Sequence, residues 1–240
     1  MKMLLAGQWV GRETVIKVRD PWDDSVVDTV PQANLEDVET ALAAADAARG
    51  TARAMTTYER SQILLKTAAI VADRLEDFAR TIASEGSKTI REARKEARRC
   101  VNTLTIAGEE AKRLLGETIP FDSFPGGEDR RGHFERVPVG VVLAITPFND
   151  PLNLVAHKLG PAIAGGNAVV LKPATVTPLS ALKLCQAFDE AGLPSGVLQC
   201  LTGHGSELGD ALVSDQRVRM VSFTGGAEAG QRIVAKSGLN

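Results

Sequence analysis

Residues 137–178 read VPVGVVLAITPFNDPLNLVAHKLGPAIAGGNAVVLKPATVTP. Two runs inside this stretch, 139–145 and 168–171, are apolar without alternation and rich in Val, Leu and Ile. That is the composition of parallel strands buried on both faces. The first run gives way to Thr146, Pro147, Phe148 and Asn149, and the second to Lys172, Pro173, Ala174 and Thr175. Asn149 and Lys172 therefore fall at the carboxyl ends of strands, where open α/β sheets hold their ligands. Residues 151–164 between the runs read as a crossover helix. A strand, helix, strand unit with an amide at one mouth and an ammonium at the next suits a nucleotide site, although by itself it suits many folds.

Downstream, Thr177 with Pro178 at the first helical position opens a helix that Gly192 and Pro194 stop. Residues 196–201 read as a buried strand, 206–215 as a helix, 219–224 as a further strand, and 227–238 as a last helix. From residue 139 the order is β-α-β-α-β-α-β-α, so the expected fold class is α/β: a doubly wound, Rossmann-like parallel sheet.

Upstream, residues 3–10, 14–18 and 25–30 read as an N-terminal β-meander. Asn34 then caps a helix whose Leu35, Val38, Leu42 and Ala45 share one face, with Gly50 as its stop. Residues 57–115 are helical almost throughout. Thr57 opens them, with Arg60 where a full capping box has Glu; Gly86 to Thr89 make a break, and the last helix begins at Ile90. Its charged run from Arg91 to Arg99 reads as a solvated, paired surface, and Cys100 as a packed thiol. Residues 119–136 hold two prolines and the pair Gly126, Gly127, which mark a loop. Residues 132–137 leave it as a strand too polar for a sheet centre, suited to an outer arm or to a charged edge.

At 240 residues, 44% hydrophobic and 24% charged, the chain is long enough for one large or two modest globular domains. A net charge of −2 gives no electrostatic reason to expect nucleic acid or an anionic membrane as partner. The opening MKMLLAGQWV is too short an apolar run for a signal peptide, so a cytoplasmic location is the default expectation. Cys100, Cys185 and Cys200 lack metal-ligand spacing, and His133, His157 and His204 are too scattered for a triad, so no metal site is expected. Cys185 within a helix and Cys200 within an apolar strand are settings that bury a neutral thiol and disfavour the thiolate.

The segments PFNDPLN, GNAVVLKPA, LPSGVLQCLTG and VSFTGGAEAG stand in the order and approximate spacing of the aldehyde dehydrogenase superfamily, and the resemblance spans essentially the whole chain. PWDDSVV and PFNDPLNLVAHKLGPAIA look most like its lactaldehyde, glyceraldehyde and phosphonoacetaldehyde dehydrogenases. The resemblance implies NAD(P)-dependent oxidation of an aldehyde to an acid through a thiohemiacetal on a cysteine. It gives Asn149 the oxyanion-donor role and Lys172 the adenosine-ribose role, with Ile145, Thr146, Pro147 and Phe148 lining the cofactor cleft. It places the cofactor also against Ala174, Thr175, Gly205, Gly209, Phe223, Thr224, Gly225, Gly226 and Gly230. Gly203 and Gly205 read as turn glycines beside an adenine pocket, and His204 as a surface residue.

Many NAD-preferring members of that superfamily carry Glu where this chain has Thr175, and the absence of that carboxylate implies that NADP is accepted. Gly226 stands where Ser is frequent in the superfamily, which removes one hydroxyl from the phosphate turn. The resemblance divides the chain into an NAD(P)-binding domain, 1–118 and 139–240, and an oligomerisation arm, 119–138, and so implies a homodimer or homotetramer. It stops before the superfamily's general-base glutamate and nucleophilic cysteine, so the catalytic domain is expected to be absent from the chain. The alternative is a non-catalytic nucleotide-binding or assembly module.

Overall fold

The computed structural model describes residues 1–237; Gly238 to Asn240, which close the expected last helix and the 139–240 range, lie outside the described residues. In chain order the strands and helices are β1 (Met3–Leu5), β2 (Gln8–Val10), β3 (Val15–Arg19), β4 (Val26–Pro31), α1 (Leu35–Ala54), α2 (Thr57–Asp73), α3 (Leu75–Gly86) and α4 (Ile90–Glu110). There follow β5 (Glu117–Ile119), β6 (Gly132–Phe134), β7 (Val141–Ile145), α5 (Asn153–Ala164), β8 (Ala168–Lys172), α6 (Leu179–Glu190), β9 (Leu198–Cys200), α7 (Gly205–Val213), β10 (Val218–Phe223) and α8 (Ala227–Ser237).

The six-stranded sheet has the order β10-β7-β8-β9-β1-β2. β7, β8, β9 and β10 are parallel, and β1 joins β9 antiparallel through Leu4 opposite Cys200. The chain therefore lays β8 and β9 on one side of β7 and returns to lay β10 on the other, which makes the crevice between β7 and β10 the topological switch point. Alternate side chains go to opposite faces. Val142, Ala144, Val169, Leu171 and Leu198 pack with α5 and α6, while Val141, Leu143, Ala168 and Val170 pack with α1 and α7. Both faces are covered, which is why the strand sequences do not alternate. Helices α2, α3 and α4 form a further layer whose Leu64, Phe78, Ile82 and Leu104 continue the α5 and α6 core.

The expected N-terminal meander resolves into two hairpins. β1 and β2 pair across Ala6 and Gly7, both at positive φ, and extend the main sheet, whereas β3 and β4 make a separate ribbon. Gly7 has a second reason to lack a side chain, since a Cβ there would lie 1.8 Å from Ser195 Oγ. β6 pairs with β5 in a hairpin apart from the main sheet.

Several helix boundaries differ from the expectation. α1 runs through Gly50 to Ala54, because Gly50 sits on an exposed turn of helix and is not a C-cap. The cap of α2 is Thr56, one residue earlier than expected, with Glu59 as a reciprocal partner in a full capping box. Arg60 is thereby free to donate to the Ala164 carbonyl at the end of α5, at 2.8 Å. Pro178 is the residue before α6 and not its first helical position, and neither α5 nor α6 has a side-chain cap of its own. Their first amides are satisfied by two buried carboxylates. Glu96 of α4 accepts from Leu152 N at 2.9 Å and Asn153 N at 3.1 Å. Glu85 of α3 accepts from Leu179 N at 2.7 Å and Ser180 N at 2.8 Å. The run from Arg91 to Arg99 is thus not wholly solvated: Arg94 pairs with Glu76 on the surface, but Glu96 is fully buried.

Candidate functional site

Strand register brings the site together. Ile145 pairs with Lys172 across β7 and β8, and with Phe223 across β7 and β10, so three side chains arrive at one carboxyl edge of the sheet. Period-two alternation sends Ile145 and Lys172 toward the α7 face. There they line a cleft of about 350 Å³ with Phe223 from β10, Gly205 and Gly209 from α7, and Arg232 and Lys236 from α8. A Cβ at Gly205 or Gly209 would meet no atom within 4 Å, so the chain itself leaves this stripe of α7 bare toward the cleft.

Lys172 is only 5% exposed. Its Nζ donates to the Pro173 carbonyl at 2.9 Å, and burial pushes its pKa down to about 8. It is not the solvated strand-end lysine that its position alone would allow. The other two cations of the cleft are engaged. Arg232 grips Asp210 with Nε at 3.0 Å and Nη2 at 2.9 Å, and Lys236 approaches the same carboxylate at 3.5 Å.

The expected phosphate turn follows β10. Thr224 N donates to the Ile145 carbonyl at 3.2 Å and prolongs the ladder before Gly225, Gly226 and α8. Gly225 has an intramolecular reason to be glycine, because a Cβ there would lie 2.5 Å from the ring of Phe223. Gly226 faces open space. Gly230 borders a groove on the outer side of β10 that Phe223 also lines.

The remaining expected residues lie around the loops after β7 and β8. Phe148 and Thr175 line a separate recess of about 500 Å³ with His204, which is exposed. Thr175 Oγ1 donates to the Gly203 carbonyl at 3.0 Å and does not cap α6. Pro147 and Ala174 are half-buried, while Thr146 is buried with a hydroxyl that has no partner among the described residues.

Asn149 is exposed on the loop between β7 and α5, and its amide has no hydrogen-bond partner among the described residues. The loop itself is pinned. Arg99 Nη2 pairs with Asp150 at 2.7 Å, and Lys88 bridges Asp150 and Glu96, reaching Glu96 at 2.6 Å. A free amide on a fixed backbone is the arrangement a preorganised oxyanion donor requires.

Sequence reading missed several groups. Lys158 is buried on α5 and donates to Thr224 Oγ1 at 2.9 Å and Ser222 Oγ at 3.3 Å, with its pKa lowered by burial. Its signal was a lone cation on the inner face of an otherwise apolar crossover helix. Ser206, Asp210, Glu228, Arg232 and Lys236 also border the cleft. Arg232 and Lys236 were readable as an i, i+4 pair, although nothing local says which way they face. All three cysteines are fully buried, and burial raises the thiols of Cys100 and Cys185. No helix among the described residues is long and apolar enough to cross a membrane.

The 3-2-1-4 strand order, with a crevice at its switch point, defines a doubly wound α/β protein. The profile of the aldehyde dehydrogenase family matches residues 9–240, and the chain belongs to that family. The aspartate-semialdehyde dehydrogenase 1 of Pseudomonas canavaninivorans is 49% identical over 227 residues, covering 95% of this chain and 48% of the relative. The 3-sulfolactaldehyde dehydrogenase of Priestia megaterium is 47% identical over 234 residues, covering 97% and 48%. Among solved structures, the NADP-dependent glyceraldehyde-3-phosphate dehydrogenase of Bacillus halodurans C-125, complexed with NADP, superposes with a TM-score of 0.95 at 37% identity, covering 98% of this chain and 50% of that one. The chain spans about half the length of the relatives it matches.

Proposed function

We propose that this chain is the nucleotide-binding half of an NAD(P)-dependent aldehyde dehydrogenase that oxidises a small aldehyde to a carboxylic acid. The observation that carries the reading is the in-register arrival of Ile145, Lys172 and Phe223 at the switch-point cleft, opposite the bare glycine stripe of α7. When bound, the nicotinamide dinucleotide supplies the hydride acceptor. The residues of this chain bind and orient it. Lys172 donates to ribose hydroxyls or a phosphate, Ile145 and Phe223 pack against its apolar surface, and Gly225 and Gly226 offer amides at the start of α8.

Asn149 aims its amide at the substrate carbonyl oxygen and stabilises the oxyanion of the thiohemiacetal formed on a cysteine outside this chain, a donor worth about 3–4 kcal/mol. The three buried cysteines present do not take that part. The substrates in the names of the three similar proteins given above carry a carboxylate, a sulfonate or a phosphate, which supports a small anionic aldehyde as substrate class. The hairpin of β5 and β6, exposed at Ile119 and Phe134, is the arm through which copies of the protein associate.

Thr175 presents a hydroxyl, not a carboxylate, so no charge repels a 2′-phosphate and NADP is accepted at least as well as NAD. Calorimetric titration of both nucleotides tests this. NADP is expected to bind as tightly as NAD or tighter, and Thr175→Glu to lower NADP affinity about tenfold, a like-charge penalty near 1.4 kcal/mol. Much tighter NAD binding by the unaltered chain would sink the NADP reading.

A further inference from the structure

Lys172 is a buried amine on the wall of a cavity, and it has no acid to hold it in its charged form. Its polar partner is the carbonyl of the next residue, Pro173, and no carboxylate among the described residues lies within salt-bridge distance of Nζ. The contrast lies in the same cleft, where Arg232 and Lys236 share Asp210. Ile145, Val213, Phe223 and Ile233 give that cleft apolar walls, and its volume of about 350 Å³ lies in the range of small-molecule pockets.

We propose that Lys172 is a covalent capture site for small aldehydes, whose carbonyl carbon condenses with the Nζ amine to form an imine and water. The nitrogen lone pair adds to the carbonyl carbon, and the carbonyl oxygen gains a proton to give the carbinolamine. Loss of that oxygen as water, with the remaining amine proton, leaves the C=N bond. No oxidant or reductant enters. Desolvated lysines in apolar pockets are the ones that form Schiff bases, because the neutral, nucleophilic form is populated near neutral pH. Burial that lowers the ammonium to about pKa 8 also favours the product, since a neutral imine has no charge to desolvate. An aldehyde held there lies where the dinucleotide is placed above, so high aldehyde inhibits by excluding nucleotide; that consequence, unlike the capture itself, rests on the proposed cofactor reading.

The test is reductive trapping. The 240-residue chain is incubated at pH 7 with propanal and cyanoborohydride, and the propylated lysines are mapped by peptide mass. Lys172 is expected to be labelled at least tenfold faster than the exposed Lys66 and Lys112, and prior addition of NADP to slow that label alone. Labelling of Lys172 no faster than these exposed lysines overturns the capture site. Fast labelling at Lys172 without protection by NADP or NAD upholds the capture site and contradicts the cofactor reading instead.

Discussion

Glu85 shows how a single buried residue ties sequence to stability. It is 1% exposed, and desolvation pushes its pKa from the ordinary 4.5 up to about 7, although Leu179 N, Ser180 N and the Ser180 hydroxyl all contact it. Burial outweighs three donors because each hydrogen bond offsets only part of the hydration a carboxylate loses. Between pH 4.5 and 7 the folded chain holds this proton while the unfolded chain has released it, so stability falls as pH rises through that window, by about 3 kcal/mol in all. Glu85→Gln keeps the shape and removes the titration. Urea unfolding from pH 4.5 to 8 should show the variant gaining on the parent as pH rises, and parallel curves would exclude a raised Glu85. Nothing local in the sequence announced this residue, since the amides it caps lie 94 and 95 positions away. The position of Lys172 was legible because a polar residue that ends an apolar strand run falls at the sheet edge, whereas Asn149 lies four residues beyond the end of β7, on the loop.

At the scale of elements, the helices that flank the site begin on carboxylates borrowed from other helices. Glu96 of α4 fixes the start of α5 and, through Lys88, the Asp150 beside Asn149. Glu96→Ala leaves two buried amides without their partner and takes from Lys88 one of its two carboxylates, and a loss of about 2–4 kcal/mol in urea unfolding is expected. A loss below about 0.5 kcal/mol would show that α5 does not depend on this cap. The charged run that contains Glu96 reads as surface because period and charge are local signals, while burial of one member is decided by the helix packed over it. Capping was legible where both partners are local. Asn34 was placed correctly and the box of α2 missed by one residue, Thr56 and not Thr57, since adjacent threonines offer the same hydroxyl.

For the whole molecule, the alternation of strands and helices after residue 139 fixed the parallel sheet in advance, because the runs that become β7 and β8 are apolar throughout and bounded by turn residues. The place of β1 was not legible: it joins the sheet through a single opposed pair, Leu4 and Cys200, far apart in sequence. β10 is an outer strand with Met220 51% exposed, beside an α8 whose Val234 is 71% exposed. Such an edge offers a further surface for self-association, apart from the arm of β5 and β6. Met220→Lys should reduce concentration-dependent light scattering, and an unchanged profile would place the association elsewhere. The central claim is that the cleft at the switch point binds a nicotinamide dinucleotide. Isothermal titration of NADP into the parent chain and into Lys172→Met tests it most directly. The account predicts one site per chain in the parent and at least tenfold weaker binding in the variant, whereas no binding to the folded parent, or equal affinity in both, would contradict it.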